Sequence, residues 1–461
     1  MGHASNEFAV DPPAAQAPVG CRLYVIFVVL ALAFGNGVVL ASIQILNLVV
    51  EPVRASLGLS DLQLSVLQGF AFGLFAALAA LPVARVADHG KRRNVVLGGA
   101  VVWSAGTLIC SVAPAFWQMF VGRALVGIGE VCFLPAAISL LRDVVPRKYT
   151  ALALGIFVSG STVGSAFSWF TGGWVIANWT RIQQAAPLAG HTEAWRAIFF
   201  LYAVLGCLSA ALIAIIREPP AAPQPDSGSL VAELRHTLRS LGGQGNPLSP
   251  IITGIVIVAF GGSAVFMWLP SVLVRSFALK YEHVGQVLGI SFLVFCSLGA
   301  WLSGAIADWL RSRGRDDAPV WMLLMAALGC TASLLVLAAE RKFGVGVIAA
   351  LGGALTFSTM GSVMGPLATA DVSPPQLRSQ ILAFEYFLIY LIDIGFAPST
   401  VALLTTYLFD SGRDVDWAIA VVNAGTTVLA IFVLLVSRKS YALRAGSMRG
   451  LVRSAGEAPP A

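Results

Sequence analysis

Twelve apolar runs of about 20 residues recur along the chain, each long enough to cross a bilayer as a helix. They fall near 22–50, 65–87, 94–113, 116–144, 149–176, 196–216, 251–277, 284–307, 318–338, 343–369, 380–408 and 416–436. Few folds are open to such a chain. Inside lipid every backbone N–H and C=O needs a partner within the protein, so the runs are predicted to be helices. Only 11% of the 461 residues are charged, against about 25% in a soluble domain. That is too little polar surface for a soluble enzyme, a disordered chain or a nucleic-acid binder. The six Cys are scattered singly, with no Cys-x-x-Cys, so neither a disulfide framework nor a zinc site is indicated.

An even number of helices puts both termini on one side. If that side is the cytoplasm, twenty of the 29 Lys and Arg residues lie in inner segments and eight in outer ones, with Arg123 inside a run. The positive-inside rule therefore places both termini in the cytoplasm. This also accounts for the +6 net charge without an anionic partner. Short tails and an Ala- and Gly-rich composition suit a bacterial inner membrane.

The chain divides into parts. Residues 1–20 are polar, rich in Pro and Ala, and expected to be disordered. Residues 21–216 hold six helices and residues 251–437 six more. The 217–250 stretch between them is a cytoplasmic linker, in which Leu230, Leu234, Leu238 and Leu241 stand at the spacing of a short amphipathic helix. Residues 438–461 form a cytoplasmic tail. The halves repeat: Ala84-Arg-Val-Ala-Asp88 after the second run returns as Gly304-Ala-Ile-Ala-Asp308 after the eighth, each followed by a basic cluster. The expected fold is an all-α membrane protein of twelve transmembrane helices in two pseudo-symmetric six-helix halves. A six-plus-six repeat with the substrate site between the halves is one of the transporter architectures.

Charges within the runs are functional candidates because they are costly there. Arg123 and Glu130 lie about 10 Å and 21 Å down the fourth helix at 1.5 Å per residue, on either side of the midplane of a 30 Å core. They are two turns apart and share a face with Gly127, so the expectation is that Glu130 leans toward Arg123 and meets it directly or through a bridging water. In the eleventh run Asp393 stands near mid-depth and Glu385 nearer the inner surface. Gly160-x-x-x-Gly164 in the fifth run reads as a close helix crossing. No Gly-x-x-x-x-Gly-Lys-Ser/Thr loop occurs, so ATP is not the energy source. No His-Glu-x-x-His or Gly-x-Ser-x-Gly appears, which argues against an intramembrane enzyme.

The loop after the second run, with Asp88, Gly90, Arg92 and Arg93, resembles the signature Gly-x-Leu-Ala-Asp-Arg-x-Gly-Arg-Arg of the major facilitator superfamily, departing from it at Ala84. Arg123 and Gly127 match that family's Arg-x-x-x-Gly. Leu57-Gly-Leu-Ser-Asp61-Leu-Gln63, Gly127-Ile-Gly-Glu130, Trp268-Leu-Pro270 and Asp393 upstream of Pro398 look like its spinster-type subfamily. So does Gln44-Ile-Leu-Asn-Leu-Val-Val-Glu51-Pro52, although Ser42-Ile43 fills the place where that subfamily carries Asp-Arg.

The resemblance implies a secondary transporter that works by alternating access and is coupled to protons, with no cofactor or metal beyond the proton gradient. Its implied substrate is an amphiphilic lipid such as a lysophospholipid or a sphingolipid-like molecule. Glu130, Arg123 and Asp393 are the proton-coupling candidates. Asn36, Ser42, Gln44, Phe266, Trp268 and Thr356 are the candidates for the substrate cavity. The family's cytoplasmic gate maps to Asp88, Arg92, Asp143 and Asp308. The other expected partners are membrane lipids, and the protein is expected to be a monomer. Two alternatives stand beside this reading: a proton symporter of a small organic anion or sugar acid, and a non-transporting membrane receptor.

Overall fold

The structure, a computed structural model, describes residues 22–89, 92–185, 192–217, 239, 241–242, 246–374, 377–409 and 414–456. Twelve helices among them are long and apolar enough to cross a membrane. In chain order they are α1 (Arg22–Leu57), α2 (Asp61–Ala80), α3 (Arg92–Val112), α4 (Phe116–Val144), α5 (Thr150–Ala185) and α6 (Ala194–Ala214). The second set is α7 (Leu248–Arg275), α8 (Tyr281–Ser312), α9 (Ala318–Ala339), α10 (Val345–Val372), α11 (Arg378–Tyr407) and α12 (Val415–Met448). No strand occurs among the described residues.

Several helices outrun the apolar stretches that announce them. The helical path of α2 continues to His89, α1 carries on through Glu51 and Pro52 to Leu57, and the helix of α12 continues to Gly456. Hydropathy marks the bilayer crossing, whereas a helix ends where its backbone bonds end. The first turns of the expected tail are therefore a continuation of α12. Tyr441 and Ala445 are buried there, and Arg438 pairs with Asp317 at 3.1 Å. Most of the linker, and three of its four spaced leucines, lie outside the described residues.

Packing repeats as the sequence does. In the first half α3 packs on α4 and α6, α2 on α4, and α1 on α5 and α6; adding six to every number gives the pairings of the second half. The halves meet along α5 with α8, α2 with α11, and α1 with α7, the exchange expected of a two-fold relation.

Buried apolar side chains show where the halves are joined. One group draws on both halves at the end remote from the termini, including Val53, Leu64, Trp268, Leu273, Val284 and Val401. Toward the termini the core splits in two. One group belongs to the first half, around Val28, Ala137 and Ile213; the other belongs to the second, around Ile252, Met364 and Leu434. The bundle is thus fastened at its far end and divided at the end that carries both termini.

Glycines set the closest crossings. Gly160 and Gly164 of α5 lie against Ala33 and Gly37 of α1, where an added Cβ would strike backbone atoms. Between the halves, Gly173 of α5 faces Gly285 of α8, and Gly69 and Gly73 of α2 press on the Ile394 and Tyr390 carbonyls of α11. With lipid tails as apolar as leucine, such contact replaces the hydrophobic effect as the packing force.

Gly164→Ala is expected to destabilise the protein by about 1–3 kcal/mol through overpacking. Gly155→Ala adds its Cβ where nothing lies within 4 Å, and should stabilise by about 0.5–1 kcal/mol through helix propensity. Thermal unfolding of the detergent-solubilised protein checks both; equal effects at the two positions would contradict the crossing.

Candidate functional site

Three helices leave the regular α-register, each by a π-turn: Val66–Phe70 in α2, Phe292–Cys296 in α8 and Ile389–Ile394 in α11. In the first, the Ala71 N–H bonds the Val66 carbonyl. That releases the Leu67 carbonyl from its regular α-helical partner, a common device at functional sites. The Arg123 Nε–H of α4 donates to this carbonyl at 3.1 Å. Arg123 is 1% exposed, its guanidinium carbon is 5.5 Å from the centroid of the Phe72 ring, and its Nη1 has no hydrogen-bond partner.

Glu130, seven residues on, has a different partner from the one expected. The Tyr390 hydroxyl of α11 donates to its carboxylate, 2.8 Å from Oε2 and 3.0 Å from Oε1. Arg123 and Glu130 share a face of α4, but the expected ion pair is replaced by these two separate contacts. The reason lies at Gly127 between them. With no side chain there, the backbone of α2 comes down onto α4, and the Phe72 carbonyl and ring fill the space. The Phe72 ring lies beside Arg123 and 6.3 Å from the Tyr390 ring, so it neighbours both the cation and the partner of the carboxylate.

Asp393 sits in the α11 π-turn, buried, facing Ser263 of α7, and its Oδ1 has no partner. Glu385 is buried beside Thr369 of α10, its two carboxyl oxygens unpartnered. Neither acid contacts Arg123 through any described bond.

The six cavity candidates do not bond one another: four contact neighbouring helices, and Ser42 and Gln44 bond within α1. The Asn36 amide donates to the Phe157 carbonyl of α5 at 2.9 Å. The Ser42 hydroxyl donates back to Val38 of its own helix. Thr356 donates to the Phe295 carbonyl, in the α8 π-turn, and the Phe266 ring lies 5.4 Å from that of Phe292. Trp268 is wholly buried, its indole N–H donating to the Pro398 carbonyl of α11 at 3.1 Å, so it packs the interface instead of standing open. Gln44 starts a chain that sequence reasoning missed: it accepts from Asn47, Asn47 accepts from Gln68 of α2, and Gln68 also donates to the Met267 carbonyl of α7.

At the termini end, Arg92 hydrogen-bonds Asp143, tying α3 to α4 within the first half. The Asp88 side chain lies outside the described residues. Asp308 is exposed, and no ion pair joins it to another described residue. In the second half Arg311 of α8 pairs with Asp371 of α10, which also accepts from Tyr441. Asp308 thus takes no part in an ion pair among the described residues, and Arg311 supplies the pairing at that end of the second half.

With this geometry established, comparison with known proteins is informative. The family model described as Major Facilitator Superfamily matches residues 32–394. An MFS-type efflux pump of Mycolicibacterium smegmatis is 25% identical over 381 residues, covering 79% of this chain and 80% of that protein. The sphingosine-1-phosphate transporter SPNS2 of Xenopus tropicalis is 22% identical over 346 residues, covering 70% of this chain and 63% of that protein. The crystal structure of a bacterial homologue of the human lysosomal transporter Spinster, inward-facing and unoccupied, superposes with a TM-score of 0.75 at 20% identity, over 94% of this chain and 99% of that one.

The Glu130–Tyr390 contact is testable without a substrate. Tyr390→Phe is expected to cost about 1–3 kcal/mol, because it leaves a buried acceptor unsatisfied. Combined with Glu130→Ala it should be non-additive by at least about 0.5 kcal/mol. Melting curves of the two single variants and the double variant decide; additive losses would mean that hydroxyl and carboxylate do not interact.

Proposed function

The chain belongs to the Major Facilitator Superfamily, and we propose that it is a proton-coupled secondary transporter that moves an amphiphile with an anionic head group by alternating access. The observation that carries this reading is Arg123. It is a fully buried guanidinium with an unpartnered N–H and no carboxylate in salt-bridge contact among the described residues. A buried charge without a counter-charge is costly, so an arriving phosphate or carboxylate supplies what the protein withholds. The Phe72 ring beside it offers apolar contact to the rest of such a molecule.

Proton coupling rests on Glu130. Its carboxylate accepts the hydrogen bond of Tyr390 from the opposite half, so protonation alters a contact between halves and not only a local charge. That joins proton binding to the relative position of the two bundles. Ser42 provides no acid in α1, which leaves Glu130 and Asp393 as the acids nearest mid-membrane.

With both termini in the cytoplasm of a bacterial inner membrane, a bundle fastened at its far end is an inward-facing state. Asp88, Arg92, Asp143 and Asp308 then line the cytoplasmic end, where they act in gating, and the protein works as a monomer. A small organic acid is the second reading, because a guanidinium binds a carboxylate as readily as a phosphate.

Purified protein in proteoliposomes, offered lysophospholipids, sphingoid phosphates and small organic acids with and without a proton gradient, tests the proposal. Arg123→Gln should lower transport about tenfold or more, as expected for a charge-assisted hydrogen bond worth 1.5–3 kcal/mol. Uptake that is indifferent to Arg123 would remove the anionic head group from the proposal. Glu130→Gln should abolish dependence on the gradient while leaving the melting temperature near that of the parent. An unchanged pH profile in that variant would rule out Glu130 as the coupling site.

A further inference from the structure

Glu51 and Asp61 belong to motifs that stand out in the sequence yet have no part in the transport chemistry above. The structure brings them together on one residue of the opposite half. Arg275, in the last turn of α7, places its Nε–H 2.6 Å from Glu51 Oε1 of α1. Its Nη1 and Nη2 donate to Asp61 Oδ2 and Oδ1 of α2 at 3.0 and 2.9 Å, a bidentate fork. Ser271, one turn earlier, donates to the same Glu51 oxygen at 3.0 Å. The side chains of Arg275 and Asp61 are only 8% and 10% exposed. One guanidinium thus holds the end of α1 and the start of α2 against α7, at the end of the bundle where the apolar core is continuous across both halves.

We infer that Arg275 is the far-end latch of the transport cycle, gripping Glu51 and Asp61 in the state seen here and releasing them when that end opens. The inference rests on the alternating-access reading. The local chemistry makes the latch reversible. Arg54, in α1 and partly exposed, lies 3.4 Å from Asp61 and 3.8 Å from Glu51. It moves with the acids, so when Arg275 leaves they keep a counter-charge and gain water. Asp61 also sits in the first turn of α2, behind the Ser60–Gln63 capping box, where the helix N-terminus favours a negative charge. Arg275 occupies the C-terminal turn of α7, which favours a positive one. Both partners therefore remain tolerable apart, as a latch requires, whereas a buried pair stranded in lipid would be a permanent lock.

Release would also be felt deeper in the bundle. Arg275 lies 5.8 Å from the Trp268 ring centroid, and Trp268 is bonded to Pro398 of α11. Next to that point Ser399 meets Ser65 of α2, hydroxyl to hydroxyl at 3.1 Å. The latch and the α2–α11 seam consequently share α7 as a common support.

The test uses the full chain in nanodiscs, with pairs of spin labels in a cysteine-replaced background. One pair, at Trp117 and Val345, reports the far end; the other, at Lys148 and Ser312, reports the termini end. Arg275→Gln is expected to raise the ratio of far-end-open to far-end-closed molecules at least about tenfold, equivalent to 1.4 kcal/mol, while the termini-end distance shortens. Arg275→Glu with Asp61→Arg should bring the ratio back toward the parent. If Arg275→Gln fails to fold, Glu51→Gln, which leaves the bidentate fork in place, should move the ratio in the same direction by less. A parent with two populations whose ratio these variants do not change overturns the latch alone. One unchanged distance in the parent and every variant overturns the latch and the alternating-access reading together.

Discussion

Lipid offers no hydrogen-bond partner, and this single constraint organises the structure. Every backbone amide must be satisfied within the protein, which makes each crossing a helix. Every buried polar side chain must likewise find a partner on its own or another helix or leave a group unpaired at a cost. The π-turns show one way of meeting that demand. By shifting register at Val66–Phe70, α2 presents the Leu67 carbonyl to Arg123, so a charge that no acid neutralises is at least solvated by backbone.

The same constraint shapes how the halves are joined. Glycine against backbone packs helices closely within a half, as at Gly37 with Gly164, and between halves, as at Gly173 with Gly285. Between the halves, toward the far end, the bonds are polar and few: the fork on Arg275, the Gln68 bridge to Met267, the Ser65–Ser399 contact and the Glu130–Tyr390 bond. Directional bonds of this kind break cleanly and are replaced by water, so a far end that adds them to its apolar and glycine contacts suits rocking motion better than a purely apolar one would.

Arg123 and Glu130 show how one helix face makes two separate contacts. Had they paired with each other, the protein would hold a neutral, self-satisfied ion pair with little to offer a ligand. Instead the Phe72 ring lies beside Arg123 and the Tyr390 ring, the Arg123 Nη1 has no hydrogen-bond partner, and the carboxylate is engaged with the other half. Glycine at position 127 is what admits the ring. The residue that resembles a family motif therefore acts here as a space, and the chemistry follows from what enters it.

Much of this was legible in the residues themselves. The number of crossings and the two halves depend only on local hydropathy and on a rise of 1.5 Å per residue, properties of a single helix that need no knowledge of its neighbours. Membership of the family was visible for the same reason, since its loop and helix signatures are local strings. Partner choice was not legible. That Glu130 meets Tyr390, 260 positions away, and that Glu51 and Asp61 converge on Arg275, more than 200 positions away, depends on which helices touch and at what rotation. The packing of Trp268 against Pro398 and the π-turns that reposition carbonyls have the same origin. Hydropathy averages over a helix and carries no record of its facing, so the sequence located the charges and the tertiary structure alone decided what each one holds.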